Sequence, residues 1–435
     1  MKRSEFKLRI LLVVGIFICG VLLFAILYPK GEDSRLSDLG EDGNGKISWS
    51  DTLTNKSSAY EPLAPMDRRI ENFMQKFGLR GVQIAVTRND SLLYTRGYGW
   101  ADQETGVLMD ASHVMRIASV SKLVTAVAVM KLVEQGKLSL NSLVTGPKGI
   151  LNDKDILDAI GDERLDSLTV DHLLQHFGGF SNRKGDPMFN IRDLVLENHL
   201  TTPPTPREIT KIVFSRKLAA APGVRRHYSN FGYMLLSLVI EKVTGKDYWG
   251  FVNDEVLGPA GVPTFFAATN YYNQKGESEV KYYAADDEIV EEFNGSDKMV
   301  PRAYGGNDYN ALMGGGGWVA SAAGLSRLVA AIDGDPGVPD ILSPKSISLM
   351  TALDPDDKLN IARGWAKIEK DGRWIRTGTL CSSHALIERF PNGECWIILT
   401  NTGVWTGPRF SSDMRRLVDS LRATYSHLLP SRNLY

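Results

Sequence analysis

Three short stretches carry residues able to do chemistry together. The first is Ser119-Val120-Ser121-Lys122, which follows Arg116-Ile117-Ala118 and opens an apolar run. A serine at a helix start lies near unpaired backbone N–H groups and the positive end of the helix dipole. Lys122, three residues on, falls one turn along on the same face. A lysine beside a serine hydroxyl helps to activate it as a nucleophile. Read alone, S-x-x-K is also what chance supplies at helix starts, because serine is a good N-cap. The second stretch is Tyr228-Ser229-Asn230, at the mouth of another apolar run. A phenol is a poor base at its usual pKa of roughly 10. Nearby cations favour phenolate, which can take a proton from serine. Asn230 can hold Lys122 or a substrate amide. The third is Arg376-Thr377-Gly378-Thr379. A cation, a hydroxyl and a glycine on one strand can line a substrate groove, with glycine allowing close approach. Taken singly, the second stretch reads as a surface tyrosine before a helix cap, and the third as an ordinary strand.

Order and spacing change that balance. The chain resembles the serine β-lactamase and penicillin-binding protein superfamily, for which S-x-x-K and K-T-G are signatures. The Y-x-N form of the middle motif is similar to the class C β-lactamases, the related DD-peptidases and the related esterases. Leu168-Thr169-Val170-Asp171-His172-Leu173-Leu174-Gln175-His176 resembles the family's helix between its first two motifs. Residues 314–325, GGGGWVASAAGL, resemble its glycine-rich return to the sheet. The similarity runs from about Pro65 to about Leu421.

The resemblance implies an α+β fold: an antiparallel sheet flanked by helices, beside an all-helical subdomain, with the site in the cleft between. It implies a serine hydrolase in which Ser119 forms an acyl-enzyme. Lys122 and Tyr228 would manage its proton, and Asn230 would orient Lys122 and the substrate. The backbone N–H groups of Ser119 and Thr379 would form the oxyanion hole, typically worth a few kcal/mol per donor. Arg376, Thr377, Gly378 and Thr379 would line the substrate. No metal and no organic cofactor is implied. The expected substrate is a D-alanyl-D-alanine-type peptide or a small ester, so peptidoglycan stem peptides and β-lactams are candidate ligands. A weak β-lactamase and a non-turnover penicillin- or peptidoglycan-binding protein are the alternatives.

One position departs from the family pattern. Arg376 stands where the lactamases usually carry lysine and the esterases often histidine. Arginine keeps a fixed charge, binds a carboxylate through two hydrogen bonds and cannot serve as a base. A substrate with a free carboxylate stays compatible, whereas efficient β-lactamase activity does not follow. His384, close behind, reads as a strand residue, and His172 and His176 as ties between loops.

These residues need elements to hold them. Helical spacing over Met66 to Phe77 places Ile70, Phe73 and Phe77 on one side. Gly81 to Thr87 and Ser91 to Gly97 read as strands joined by Arg88-Asn89-Asp90. Lys122 to Gln135 is apolar almost all round, the pattern of a buried central helix stopped at Gly136. Phe231 to Thr244 reads as a helix ended by Gly245. Trp374 to Arg389 and Glu394 to Asn401 read as strands around Pro391-Asn392-Gly393, and Asp413 to Leu428 as a closing helix. Strands at both ends with helices between them fit an α+β domain with a helical insertion.

Bulk composition narrows the rest. The 435 residues are 43% hydrophobic and 23% charged, with a net charge of -1. That excludes global disorder and removes any electrostatic case for a nucleic-acid partner. Of the cysteines, Cys381 and Cys395 flank the turn near Pro391 and read as two buried thiols. Lys2, Arg3, Lys7 and Arg9 precede an uncharged run from Ile10 to Tyr28, the length of a membrane span. The expected organisation is a cytoplasmic segment 1–9, a single-pass signal anchor 10–28 in the cytoplasmic membrane, a linker 29–64, the hydrolase domain 65–428 outside the membrane, and a tail 429–435. Oligomeric state is not encoded in any feature of the sequence.

Overall fold

Strands from both ends of the chain meet in one antiparallel sheet. The computed structural model describes residues 53–180, 185–262, 265–353 and 362–435. In chain order its strands are β1 (Gly81–Arg88), β2 (Ser91–Asp102), β3 (Val107–Leu108), β4 (Met115–Arg116), β5 (Phe266–Ala267), β6 (Ile289–Glu291), β7 (Met299–Pro301), β8 (Trp318–Ala320), β9 (Lys367–Ile368), β10 (Trp374–Leu380), β11 (Ser383–Arg389) and β12 (Glu394–Thr400). The main sheet runs β3-β2-β1-β12-β11-β10-β9. Its centre joins the two chain ends, β1 pairing with β12 from Val82 opposite Thr400 to Arg88 opposite Glu394.

Both faces are covered, so the central strands bury every second residue on each side. Val82, Ile84, Val86, Trp396 and Ile398 join one apolar cluster, while Ala85, Ile397 and Leu399 join the other. The first cluster is closed by helix α1 (Ala64–Phe77), through Met66, Ile70 and Met74, and by the C-terminal helix. The second is built with α2 (Ser121–Glu134), α3 (Val170–Leu174), α4 (Pro206–Phe214), α5 (Asn230–Thr244) and α6 (Ala322–Ala330). Among the described residues between β4 and β5 there is no strand, and the regular elements of this stretch are helices joined by loops. The C-terminal helix, α7 (Phe410–Tyr425), buries Phe410, Met414, Leu417, Val418 and Leu421, an i, i+4, i+7, i+8, i+11 stripe.

Several boundaries differ from the sequence reading. Trp374 to Arg389 is two strands, β10 and β11, paired from Trp374 opposite Arg389 to Leu380 opposite Ser383. The turn falls at Cys381-Ser382, where no glycine, proline or asparagine marks it. β2 extends to Asp102, and α2 starts at Ser121 after a 3-10 turn, Ala118–Val120. Ser119 therefore sits in that turn rather than in the helix. Both described cysteines are free, and Cys381 is only half-buried. The segment 429–435 lies against the domain, with the Leu434 amide donating to the Leu92 carbonyl.

The expected membrane placement is corrected. No helix among the described residues is long and apolar enough to cross a membrane. Residues 10–28, on which the expectation rested, lie outside the described residues, as do residues 29–52 of the expected linker.

One buried cluster makes the fold's stability depend on pH. Asp90, Asp333 and Asp335 bring carboxylate oxygens within 4.8 Å of one another. Burial pushes Asp333 up to about 7, and the Asp90 and Asp335 charges add to this against the Asp335 amide and Arg389. A carboxyl raised above its unfolded value near 3.8 costs nothing below that value. Its penalty grows as pH rises through the folded pKa. Asp333→Asn is therefore expected to melt higher than the wild type at about pH 8. Paired melting curves should show that gain shrinking to zero as pH falls from about 7 to about 4.

Candidate active site

The strained turn ahead of α2 fixes the serine. Ala118 has φ +50°, a left-handed value that costs a non-glycine residue energy. It lets the chain leave β4, turn through Ser119 and enter α2 within a few residues. Two other non-glycine residues with positive φ, His176 and Met313, border the same site. Ser119 is half-buried, whereas Lys122 is completely buried.

Three segments converge on Lys122. Its Nζ donates to Ser119 Oγ at 3.3 Å, Asn230 Oδ1 at 2.6 Å and the Gly315 carbonyl at 2.5 Å. An ammonium has three N–H donors, and all three are used. Asn230 is the first residue of α5, whose N-cap is Ser229. Gly315 arrives because the glycine run 314–317 packs tightly between α2 and α5. A Cβ on Gly314 would lie 2.4 Å from Thr125 Oγ1 and 2.6 Å from Ser237 Oγ. Only a glycine there lets the carbonyl of the next residue reach the lysine.

The Tyr228 hydroxyl donates to Ser119 Oγ at 2.7 Å, and Lys122 Nζ stands 4.8 Å from the centre of its ring. The ring is partly exposed, while its oxygen sits among cations. Burial raises this phenol, but the charges of Lys122 and Arg376, with hydrogen bonds from Lys122 and Ser119, outweigh it and bring it below its ordinary value. Lys122 is itself lowered, first by burial and also by Arg376, against the opposing pull of Tyr228 and Asp186. The amine and the phenol are thus both drawn toward losing a proton, beside the same serine.

Arg376 lies elsewhere than the sequence suggests. It is 2% exposed, and its Nε and Nη2 both donate to the Ser119 backbone carbonyl, Nε at 2.8 Å. Among the described residues no carboxylate pairs with it. It braces the serine turn and holds a fixed positive charge close behind it. Gly378 brings β10 against the same turn: a Cβ there would sit 2.4 Å from the Ile117 carbonyl and 3.0 Å from the Ser119 amide nitrogen. Thr377 and Thr379 alternate with these two on β10 and are half-buried.

The histidines hold structure. His384, in β11, faces Thr379 Oγ1 at 3.2 Å through Nδ1, and burial pushes it down to about 4. His176 accepts from the Ser229 amide at 3.3 Å, and its ring centre lies 4.5 Å from that of Tyr228. Burial, then Lys122 and Arg376, drive it well below its usual pKa. His172 accepts from the Thr169 amide in a capping box.

Two participants escaped the sequence reading. The Gly315 carbonyl is one. The other is Asp186, whose Oδ2 accepts from Asn230 Nδ2 at 2.7 Å and whose Oδ1 accepts from the Met188 amide at 3.0 Å. The Asp-Pro pair marks Asp186 as a cap. Nothing local places it beside Asn230, 44 residues away.

Comparison with known proteins fits this geometry. A family model described as beta-lactamase matches residues 66–372. That is well over half of the sequence, and the chain belongs to the beta-lactamase family, a family of hydrolases. Protein flp of Staphylococcus aureus strain MW2 is 28% identical over 221 residues, covering 50% of this chain and 40% of its own length. This chain thus spans less than half the length of those curated relatives. Esterase EstB of Burkholderia gladioli is 28% identical over 305 residues, covering 64% of this chain and 72% of its own. Among solved structures, the D-amino acid amidase of Ochrobactrum anthropi SV3 superposes with a TM-score of 0.63 at 18% identity, over 84% of this chain and 99% of that one. An octameric penicillin-binding protein homologue from Pyrococcus abyssi gives 0.60 at 21% identity, over 86% and 78%. At these identities the structures establish the fold, a β-lactamase/transpeptidase-like antiparallel sheet with helices.

Proposed function

We propose that this chain is a serine hydrolase that cleaves an amide or ester through an acyl-enzyme on Ser119. The observation that carries the reading is Ser119 Oγ standing 3.3 Å from the Lys122 amine and 2.7 Å from the Tyr228 oxygen. Ser119 Oγ attacks the substrate carbonyl carbon, and its proton passes to the Lys122–Tyr228 pair. The pair returns that proton to the leaving amine or alcohol as the acyl bond breaks. Water then attacks the ester, gives a proton to the same pair, and releases the acid while Ser119 is restored. The Ser119 and Thr379 amides hold the oxyanion. Thr377, Gly378 and Thr379 line the substrate along β10, and Arg376 keeps its charge behind the nucleophile.

The substrate class proposed is a D-alanyl-D-alanine-type peptide, a D-amino acid amide, or a small ester. The amidase and esterase likenesses support it. The test is a turnover panel: a short-chain p-nitrophenyl ester, a D-amino acid amide, a D-Ala-D-Ala peptide and a chromogenic cephalosporin. The wild type is expected to turn over at least one of the first three much faster than the cephalosporin, with Ser119→Ala at background. No turnover of any by folded protein, or undiminished turnover by Ser119→Ala, would overturn the proposal.

A further inference from the structure

We infer that Asp186 is a positioning residue for proton transfer at Ser119: it fixes the orientation of the Asn230 amide and thereby the direction of Lys122. The inference rests on the serine-hydrolase reading above and extends it to a residue outside the three motifs.

Hydrogen-bond polarity carries the case. The amide of Asn230 has one accepting end and one donating end, and either can in principle face Lys122. Facing Lys122 with its NH2 group would set donor against donor. Asp186 removes that choice. A carboxylate only accepts, and its Oδ2 takes the Asn230 Nδ2 at 2.7 Å and the Asn230 backbone N–H at 3.4 Å. The other end, Oδ1, is then committed to Lys122 Nζ at 2.6 Å. With the Gly315 carbonyl as a second fixed acceptor, two directions around Nζ are spoken for. The third points at Ser119 Oγ.

Both proton arrangements of the pair use this frame. With an ammonium and a phenolate, Lys122 donates to Ser119 Oγ while the serine donates to Tyr228. With a neutral amine and a phenol, Lys122 keeps its two donors on Asn230 and Gly315, and its lone pair faces the serine hydroxyl. Passing between these states moves protons along existing hydrogen bonds, with no side chain turning. Asp186 is itself held in place, since Oδ1 takes the Met188 amide at 3.0 Å. Its charge also favours the more protonated state of the Lys122–Tyr228 pair. The cation Arg376 faces the same pair and acts in the opposite sense.

The test compares Asp186→Asn and Asp186→Ala with the wild type, in the full chain, using a fluorophosphonate as the probe. Labelling rate is followed against pH, with melting temperature as a check on folding. Asn at 186 keeps the shape and can still accept from Asn230 while removing the charge. Its acid limb is expected to move to lower pH by about half a unit to one unit. Alanine removes the acceptor, frees the amide to turn, and is expected to slow labelling about tenfold or more across the pH range. A purely structural role would lower the melting temperature and the amount of active protein without moving the acid limb. An unmoved acid limb in folded Asp186→Asn, or wild-type labelling in Asp186→Ala, overturns the inference. Wild-type protein that does not label at Ser119 overturns the serine-hydrolase reading instead, so the two failures are distinguishable.

Discussion

Lys122→Met is expected to fold normally and to slow covalent labelling of Ser119 by about a thousandfold, within the range spanned by loss of a general base. Methionine has nearly the shape of the lysine stem and suits a site with no exposure. The buried ammonium is paid for by its three acceptors, and removing it spares the desolvation of a cation. Two of those acceptors, Asn230 Oδ1 and the Gly315 carbonyl, then lose their donor, which costs about 1–3 kcal/mol each at most. The net change in melting temperature is therefore small and of either sign, while the rate falls steeply. Ser119 keeps its place in the turn but has only Tyr228 beside it, and that phenol has lost the larger of the two cationic influences that draw it down. Labelling by Lys122→Met within tenfold of the wild type would remove lysine from the chemistry.

Gly378→Ala is expected to damage both stability and activity. The added Cβ meets the Ile117 carbonyl at 2.4 Å, the Ser119 nitrogen at 3.0 Å and Ala118 Cβ at 3.1 Å. None of these can yield cheaply. Ile117 and Ala118 are buried, and Ala118 already holds a left-handed conformation. The strand must back away from the serine turn instead, and an overpacked site of this kind costs about 1–3 kcal/mol. Moving β10 also moves the Thr379 amide relative to Ser119, so turnover is expected to fall about a hundredfold. Gly276→Ala is the control, because a Cβ there meets nothing within 4 Å. Chemical melts and turnover on both variants decide it; a Gly378→Ala protein as stable and active as the control would contradict the packing described for β10.

The two variants probe parts of the molecule that differ in how far the sequence reveals them. Lys122 was legible because a serine and a lysine three residues apart fall about one turn from each other, and this spacing survives although the serine sits in the 3-10 turn ahead of the helix. Tyr228 and Asn230 were legible only through the order and spacing of the three motifs together, since alone they read as a surface tyrosine before a helix cap. The sheet was legible at its centre, where β1 and β12 are short runs rich in apolar and β-branched residues. The β10–β11 turn was not, since Cys381 and Ser382 carry no turn chemistry and the apolar pattern runs through them. The Gly315 carbonyl was invisible for a different reason: it reaches Lys122 from 193 residues away as a backbone group, so its side chain says nothing of its role. Arg376 is the instructive case. Its type and motif position point to a substrate carboxylate, yet the fold turns its guanidinium onto the Ser119 carbonyl. Residue type fixed the charge, and packing decided what the charge faces.

The most direct measurement is intact-mass labelling of the protein with a fluorophosphonate and with a penicillin, the adduct being mapped by peptide fragmentation and Ser119→Ala run alongside. A single adduct on Ser119 that disappears in the variant is the expected result, and the lifetime of the penicillin adduct then measures deacylation. No adduct from either reagent on folded protein, or one that maps away from Ser119, would contradict the assignment of Ser119 as the nucleophile.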